Sequence, residues 1–341
     1  MSRRSVLVTV IILVGLGAVV WLRASRGDGE ARFVTVTADI MAAPISVTVE
    51  APVASEAAEI VFSIFHAVDA SMSEWKPTTP LSEVNRSAGR RAAPVPDELL
   101  ALIRRGLAIG ERTDGAFDIT WAALWGLWDF TAEVPTVPAD DAVGRRVMLV
   151  DFRRVQVDEA AGTVFLPQEG MVIGLGGIAK GHALDRAARA LRARGIHDFM
   201  ISAAGQMMLG GTRGGRPWRI GVRDPRGTRD DFFATLELTD TSVSTSGDYE
   251  RFFVREGVRY HHILDPRTGR PSRGVRSATV VTEDATLADA LSTALMILGV
   301  ERGVSVAAAW DGVEALLIDD DGVVHTTSGL AGLPRTRTNP G

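Results

Sequence analysis

A glycine-rich segment at residues 174–185, GLGGIAKGHALD, has the composition of a loop that binds a ligand through its backbone. Glycine leaves main-chain groups open to close approach, and the N-terminus of a helix attracts anions. Helical periodicity follows at residues 183–194, so the segment predicts a phosphate-binding loop that leads into a helix. The spacing matches neither a Walker P-loop nor G-x-G-x-x-G, and a purely structural turn also fits it.

Asp289 and Thr293 are four residues apart in the sequence LADALST, within a predicted helix at residues 286–298. This spacing places both side-chain oxygens on one helix face, among small and apolar neighbours. A buried carboxylate needs a partner, and a hard cation suits a carboxylate beside a hydroxyl. The pair is therefore a candidate metal site. The alternative is a surface aspartate and a threonine that bonds to its own helix backbone.

Two adjacent histidines, His261 and His262, come just before a turn with the sequence DPRTG. A histidine at this position could act as a general base, or it could simply pack half-buried. Neighbouring side chains on a strand point to opposite sides, so we expect at most one of the two rings to face a site.

Aromatic residues form a further candidate group, because the sequence GAFDIT at residues 115–120 is followed by Trp121, Trp125 and Trp128. Aromatic rings can stack on a flat heterocycle, although core packing fits this spacing better. A Ser-Gly pair at residues 246–247 could hold ligand oxygens or form a hairpin turn.

The composition excludes several classes of site. The 341 residues include no cysteine, which rules out disulfides, thiolate metal sites and a cysteine nucleophile. The formal net charge is −5, so no broad basic field invites nucleic acid. Lysine occurs only at Lys76 and Lys180, and the second of these lies inside the glycine-rich segment.

An uncharged run of eighteen residues at positions 5–22 lies between Arg3-Arg4 and Arg23. This length is at the border between a signal-peptide core and a membrane span. We expect residues 1–32 to form an anchor and linker that place the rest of the chain outside the cytoplasm, facing the periplasm. A cleaved signal peptide and a twin-arginine export route remain open.

The remaining chain mixes strands and helices without regular βαβ alternation. We predict one α+β domain, a mixed α/β sandwich, over residues 33–330 and a disordered tail over residues 331–341. Strands are predicted at residues 33–50, 147–166, 199–202, 218–222, 232–238 and 277–281, and helices around residues 60–68, 96–113, 183–194 and 286–298.

Taken in order, six blocks of sequence resemble the ApbE family, the FAD:protein FMN transferases, over roughly residues 34–318. The blocks are SMSEW with LSEVN, GAFDIT, GGIAKG with Asp185, SGDY, HILDPRTG, and ADALST. The resemblance implies a single ApbE-like, T-fold-like catalytic domain that binds FAD and Mg²⁺. It also implies transfer of FMN from FAD to a Thr or Ser hydroxyl of an exported or membrane electron-transfer protein, with release of AMP.

The resemblance also implies roles for individual residues. The backbone carbonyl of Ala179 and the side chains of Asp289 and Thr293 match metal ligands, and His262 matches a histidine that we expect to be the general base. Positions that match contacts to FAD or its flavin are Met41, Trp75, Ala116, Phe117, Asp118, Gly176, His182 and Ile263.

Two departures from the family pattern affect this expectation. Where the family often has Met-Gly-Thr, this chain has Met41 followed by two alanines, which puts the contacts at Ala42 and Ala43 in doubt. Where the family often has Gly-Gly-Asp or Gly-Gly-Asn, this chain has Ala-Gly-Gln ending at Gln206. An Mg²⁺-dependent FAD pyrophosphatase and a flavin-binding module without turnover are the alternative functions.

Overall fold

The computed structural model describes residues 23–24, 33–228 and 230–332. The predicted anchor at residues 5–22 and most of the predicted tail lie outside them. The strands are β1 Arg23–Ala24, β2 Phe33–Ile40, β3 Ala43–Glu50, β4 Ala93–Pro94, β5 Gln156–Asp158, β6 Thr163–Phe165, β7 Phe199–Ala203, β8 Gln206–Gly210, β9 Trp218–Arg223, β10 Phe232–Leu238, β11 Ser242–Gly247, β12 Phe252–Arg255, β13 Val258–His261, β14 Leu264–Asp265, β15 Arg270–Pro271, β16 Val275–Thr282, β17 Glu314–Asp319 and β18 Val324–Thr326. The helices are α1 Ala54–Met72, α2 Pro80–Arg86, α3 Asp97–Arg112, α4 Asp140–Val147, α5 Ala179–Ala193, α6 Ala285–Leu298 and α7 Val300–Ala308.

The largest sheet has nine antiparallel strands in the order β1-β2-β3-β7-β8-β11-β16-β17-β18. Alternating residues of β3 are fully buried on one face, namely Ile45, Val47 and Val49. That alternation is the sequence signal that predicted strands at residues 33–50. Smaller sheets pair β9 with β10, β12 with β13, β14 with β15, and β6 with both β4 and β5.

Apolar cores lie on both faces of this sheet. On one face α1, α5 and α6 pack against the strands, and α1 contributes Val61, Phe65 and Val68 at helical spacing. On the other face the β9–β10 hairpin covers the sheet with Trp218 and Leu236. The three layers confirm the predicted α+β fold.

Helix α1 belongs to the core although its composition resembles that of a membrane span. The stretch Ala51–Met72 is long and apolar enough to cross a membrane by length and composition alone. Its apolar face, however, is buried against β2 and β3. We therefore assign this helix to the domain core, and it does not bear on the anchor predicted at residues 5–22.

Helix α5 begins four residues earlier than the periodicity predicted, at Ala179 rather than at residue 183. Lys180 and Gly181 therefore lie in its first turn and not in the preceding loop. Lys180, Gly181 and His182 interrupt the apolar spacing in the first turn, and Gly181 contacts the N-terminal end of α6. There Asp185 accepts backbone N–H bonds from Ala285 and Thr286, each 2.9 Å long.

We predict that Gly181→Ala is strongly destabilising because the two helices touch at this glycine. A Cβ here would lie 2.8 Å from the Cα of Thr286 and closer still to the Ala285 carbonyl. We expect a loss of about 1–3 kcal/mol or more in unfolding free energy, measured by urea denaturation.

Gly144→Ala in α4 is the matched control, because a Cβ there meets no atom within 4 Å. It should leave stability unchanged or raise it by up to about 1 kcal/mol. Equal stabilities for the two variants would contradict the close contact between α5 and α6.

Candidate active site

The candidate metal site lies where the first turn of α5 meets α6. Asp289 on α6 is buried, with 3% of its surface exposed. One carboxylate oxygen accepts the backbone N–H of Gly181 at 3.0 Å, and the other accepts the side-chain amide of Gln206 at 2.5 Å. Burial raises the pKa of the Asp289 carboxyl, and the positive charge of Lys180 opposes that rise.

Beside Asp289, hydroxyl groups of α6 contact hydroxyl groups of the neighbouring strand β11. The Thr293 hydroxyl lies one helical turn beyond Asp289 and 3.4 Å from the Ser246 hydroxyl. Ser292 bonds to Ser246 at 2.9 Å and to Ser244 at 3.0 Å. The predicted spacing therefore does place the Asp289 and Thr293 oxygens on the side of α6 that faces the sheet.

The groups gathered here fit a hard cation. Asp289, Thr293 and the side-chain oxygen of Gln206 are all oxygen donors, and the Gln206 oxygen is buried without a hydrogen-bond partner among the described residues. Ala179, whose carbonyl is the remaining predicted ligand, is buried at the start of α5. Within the described part of the chain no three His, Asp or Glu side chains are placed to hold a metal ion together. One carboxylate with neutral oxygens suits Mg²⁺, which keeps few protein ligands and binds substrate phosphate.

The glycine-rich loop is held in place from two sides. The Asn85 side chain of α2 donates to the carbonyl of Ile173 and accepts its N–H, at 2.9 and 2.8 Å. The Trp121 indole donates to the carbonyl of Gly174 at 3.2 Å. The Lys180 ammonium donates to the carbonyl of Gly176 at 2.8 Å, so the loop is clamped to the first turn of α5.

A carboxylate that sequence reasoning did not select also touches this loop. Glu74 follows α1, and one of its carboxylate oxygens lies against the backbone of Gly174 and Gly176. Burial raises the pKa of the Glu74 carboxyl, while its own backbone N–H, the charge of Lys180 and the amides of Leu175 and Gly176 act in the opposite direction. No local pattern could have identified it, because the contact joins distant parts of the chain.

Three tryptophans form an aromatic group beside the glycine-rich loop. Trp75 has 71% of its surface exposed and stacks on Trp125, with ring centroids 3.8 Å apart and planes 21° apart. Trp121 meets Trp125 edge-on at 5.8 Å. Exposed indole faces of this kind can stack on a flat heterocycle, the chemistry predicted for Trp75.

The turn between β2 and β3 carries Met41 and one of the two departures from the family pattern. Met41 and Ala42 have φ values of 55° and 54°, a left-handed conformation that favours glycine. The hairpin therefore keeps, at Ala42, a backbone shape suited to the glycine that the family often has there. The main chain at Met41 is thus fixed by the turn, although the Gly and Thr are missing.

The segment 116–118 packs beneath the loop. The Asp118 carboxylate is buried and accepts from the Thr120 backbone at 2.7 Å, the Thr120 hydroxyl at 2.6 Å and the Phe152 N–H at 3.0 Å. Burial raises its pKa, and these donors oppose the rise. The Phe117 ring lies 3.3 Å from where a Cβ on Gly177 would be. Asp118 therefore shapes the turn that supports the loop, and FAD contacts by Ala116, Phe117 and Asp118 stay a prediction.

The structure distinguishes the two histidines. His261 ends β13 and is buried, with its ring bonded to the Ser272 carbonyl at 2.9 Å. His262 lies just beyond the strand, and its Nδ1, like that of His261, is buried without a partner in the described part of the chain. Burial lowers the pKa of His262 to about 4, helped by the positive charges of His261, Arg251 and Lys180. His262 is therefore neutral at pH 7 and able to accept a proton.

The sequence and structure comparisons agree on a family. The ApbE family profile matches residues 41–317. The chain is 35% identical over 289 residues to a protein of Treponema pallidum named FAD:protein FMN transferase, covering 80% of each chain. It is 32% identical over 265 residues to the Vibrio cholerae protein of the same name, covering 76% of this chain and 78% of that one. The chain belongs to the ApbE family.

Solved structures of ApbE proteins have the same fold. The ApbE protein of Thermotoga maritima superposes with a TM-score of 0.80 at 33% identity, over 89% of this chain and 100% of that one. Flavin transferase ApbE of Vibrio cholerae gives 0.77 at 26% identity, over 93% and 100%. The ApbE-like fold implied by the sequence blocks is confirmed.

His182, a predicted FAD contact, pairs with a carboxylate of α3. Its ring engages Glu98 of α3 at 2.7 Å, and Glu98 also pairs with Arg186 at 2.8 Å. Ile263 is buried beside His262, and its carbonyl accepts the Ser272 N–H at 3.0 Å. The FAD contacts of His182 and Ile263 stay predictions.

The lowered pKa of His262 predicts a pH-dependent stability. Between its ordinary pKa of 6.5 and the folded value of about 4, the unfolded chain binds a proton that the folded chain does not. The His262 contribution is therefore present above pH 6.5 and lost as pH falls toward 4. We expect His262→Gln to lose less unfolding free energy than the wild type between pH 7 and 4.5, measured by urea denaturation. Parallel pH curves for the two proteins would contradict the buried, neutral ring.

Proposed function

We propose that the protein transfers the FMN half of FAD to a Thr or Ser hydroxyl of an acceptor protein and releases AMP. Membership of the ApbE family and the names of its relatives support the reaction class. The observation that carries it in this chain is the buried oxygen cluster at Asp289. That cluster adjoins the glycine-rich loop. The positive charge of Lys180 acts to lower the pKa of both Asp289 and His262.

Asp289, Thr293 and the Ala179 carbonyl would hold Mg²⁺, and the unpartnered Gln206 oxygen is a further candidate ligand. When bound, the ion supplies neutralising charge for a diphosphate. The protein oxygens are few, as expected where the substrate provides phosphate ligands. Where the family often has Asp or Asn, this chain has Gln206, which also offers a side-chain oxygen.

His262 would act as the general base. Its neutral ring accepts the proton of the acceptor hydroxyl while the hydroxyl oxygen forms a bond to the FMN-side phosphorus. The bond from that phosphorus to the bridging oxygen breaks, and AMP leaves with the electron pair. Because the ring has a low pKa in the free protein, it remains unprotonated and ready across the neutral pH range.

The flavin would lie against the aromatic stack and the β2–β3 turn. Trp75 offers an exposed indole face, and Met41 is held at the turn by a fixed backbone. We assign the other FAD contacts to Ala116, Phe117, Asp118, Gly176, His182 and Ile263.

We propose that residues 33–330 form the catalytic domain and that residues 1–32 anchor it to the inner membrane, facing the periplasm. The eighteen-residue apolar run between arginines supports the anchor. The acceptor would then be an exported or membrane electron-transfer protein that reaches the site from the same side.

The test is to incubate the detergent-solubilised full chain with FAD, Mg²⁺ and a candidate acceptor. We expect the acceptor to gain the mass of FMN, with AMP formed in equal amount. Free FMN and AMP without a labelled acceptor would indicate a pyrophosphatase. Absence of FAD cleavage with several acceptors would indicate a binding module.

A further inference from the structure

The segment that carries Glu74 and Trp75 is fixed to the domain at both ends. The Thr79 hydroxyl donates to the Ser73 carbonyl at 2.7 Å, and the Ser82 hydroxyl donates to the Lys76 carbonyl at 2.7 Å. The main chain at Glu74 is therefore held at the glycine-rich loop. Any movement of its carboxylate is expected to be a rotation of the side chain.

The Glu74 carboxylate lies against the part of the loop that has no side chains. One of its oxygens is 3.3 Å from where a Cβ on Gly174 would be and 3.4 Å from the same point on Gly176. The positive charge of Lys180 and the nearby backbone amides of Leu175 and Gly176 favour its charged form. A carboxylate thus lies at the backbone of the loop that the sequence predicted to bind a phosphate.

We propose that Glu74 is an internal competitor for the diphosphate of FAD, occupying the Leu175 and Gly176 amides until the ligand replaces it. This inference rests on the proposed function, because it takes FAD as the ligand of the loop. Two anions cannot share the same pair of donors without strong repulsion, since like charges a few ångströms apart in a partly buried site are weakly screened. The diphosphate therefore binds only when the carboxylate rotates away.

Because of the neighbouring tryptophan, FAD displaces the Glu74 carboxylate more readily than a small anion does. Trp75 directly follows Glu74 and is largely exposed, so a flavin that stacks on it binds beside the competing carboxylate. Stacking supplies binding energy that inorganic pyrophosphate lacks. Glu74 therefore keeps free anions out of the loop while FAD still enters.

The test compares the wild type with Glu74→Gln, which keeps the size of the side chain and removes its charge. Dissociation constants are measured in EDTA, where FAD is not expected to be cleaved, by fluorescence for FAD and riboflavin and by calorimetry for pyrophosphate. We expect FAD and pyrophosphate to bind about tenfold more tightly to Glu74→Gln, the effect of removing about 1.4 kcal/mol of competition. Riboflavin has no phosphate, so its affinity should not change.

Glu83→Gln is the matched control. Glu83 lies on α2, where its carboxylate bonds to Arg86, Arg91 and the Ser87 hydroxyl. Removing its charge should leave all three affinities within about twofold of wild type. Glu74→Ala provides a second variant if the glutamine protein folds poorly, and it should tighten FAD and pyrophosphate binding in the same way.

Unchanged or weaker FAD binding by the Glu74 variants would overturn the proposal. So would an equal change for riboflavin, because that would indicate a reshaped flavin pocket and not a displaced anion. These measurements need neither acceptor nor turnover. Tighter FAD binding without FMN transfer would therefore leave the inference standing and reject the transferase, whereas transfer without any Glu74 effect would do the reverse.

Discussion

Asp289→Asn is expected to lower the rate of FAD cleavage on the order of 10²–10³-fold, the loss typical when a charge-stabilising group is removed from an active site. The amide retains the shape of the side chain and one acceptor oxygen. It removes the charged ligand from a site whose other oxygens, on Thr293 and Gln206, are neutral. The measurement is AMP release at increasing Mg²⁺, and we expect the half-saturating Mg²⁺ concentration to rise.

Asp289→Ala should have the same effect on the chemistry but a larger effect on stability. It leaves the Gly181 N–H and the Gln206 amide without their acceptor, at about 1–3 kcal/mol for each buried group. Asp284→Ala is the control on the same helix, because Asp284 caps α6 by accepting the Leu287 N–H at 2.9 Å. It should cost about 1 kcal/mol of stability and leave cleavage per folded molecule unchanged. Full activity in Asp289→Asn would refute the metal assignment.

His262→Gln is expected to reduce FMN transfer about 10²–10⁴-fold, the usual contribution of a general base, while FAD affinity changes little. The reason is that the ring is neutral in the free protein and gains a proton only as the acceptor hydroxyl attacks. Transfer is measured by the acceptor mass gain under single-turnover conditions, and FAD affinity by flavin fluorescence.

His325→Gln is the control for loss of a histidine. His325 lies on β18 and pairs with Asp319 at 2.8 Å, at the edge of the large sheet. It should transfer FMN at the wild-type rate. An equal loss of transfer and FAD binding in His262→Gln would argue that this ring holds FAD and is not the base.

A stronger nucleophile such as hydroxylamine should partly restore FAD cleavage in His262→Gln, because it needs less help in losing its proton.

The sequence determined the elements with strong periodicity and the residues placed by them. The apolar pattern of α6 set Asp289 and Thr293 on one face, and the alternation in β2 and β3 set the sheet. The order of short motifs was enough to indicate the ApbE family, since each motif depends on local residue types. The short strands β12 to β15 and helices α2 and α4 were not predicted, because segments of two to eight residues depend on their partners more than on their own pattern.

Only the tertiary structure decided which groups face one another. Glu74 meets the loop at Leu175, and Gln206 meets Asp289 across 83 residues of sequence, so no local spacing encodes either contact. The resemblance selected His262 as the base, and only the structure showed that the neighbouring His261 ring engages the Ser272 carbonyl. The glycine-rich loop was correctly predicted to lead into a helix. That a carboxylate of the same chain lies against this loop could be seen only once the chain was folded.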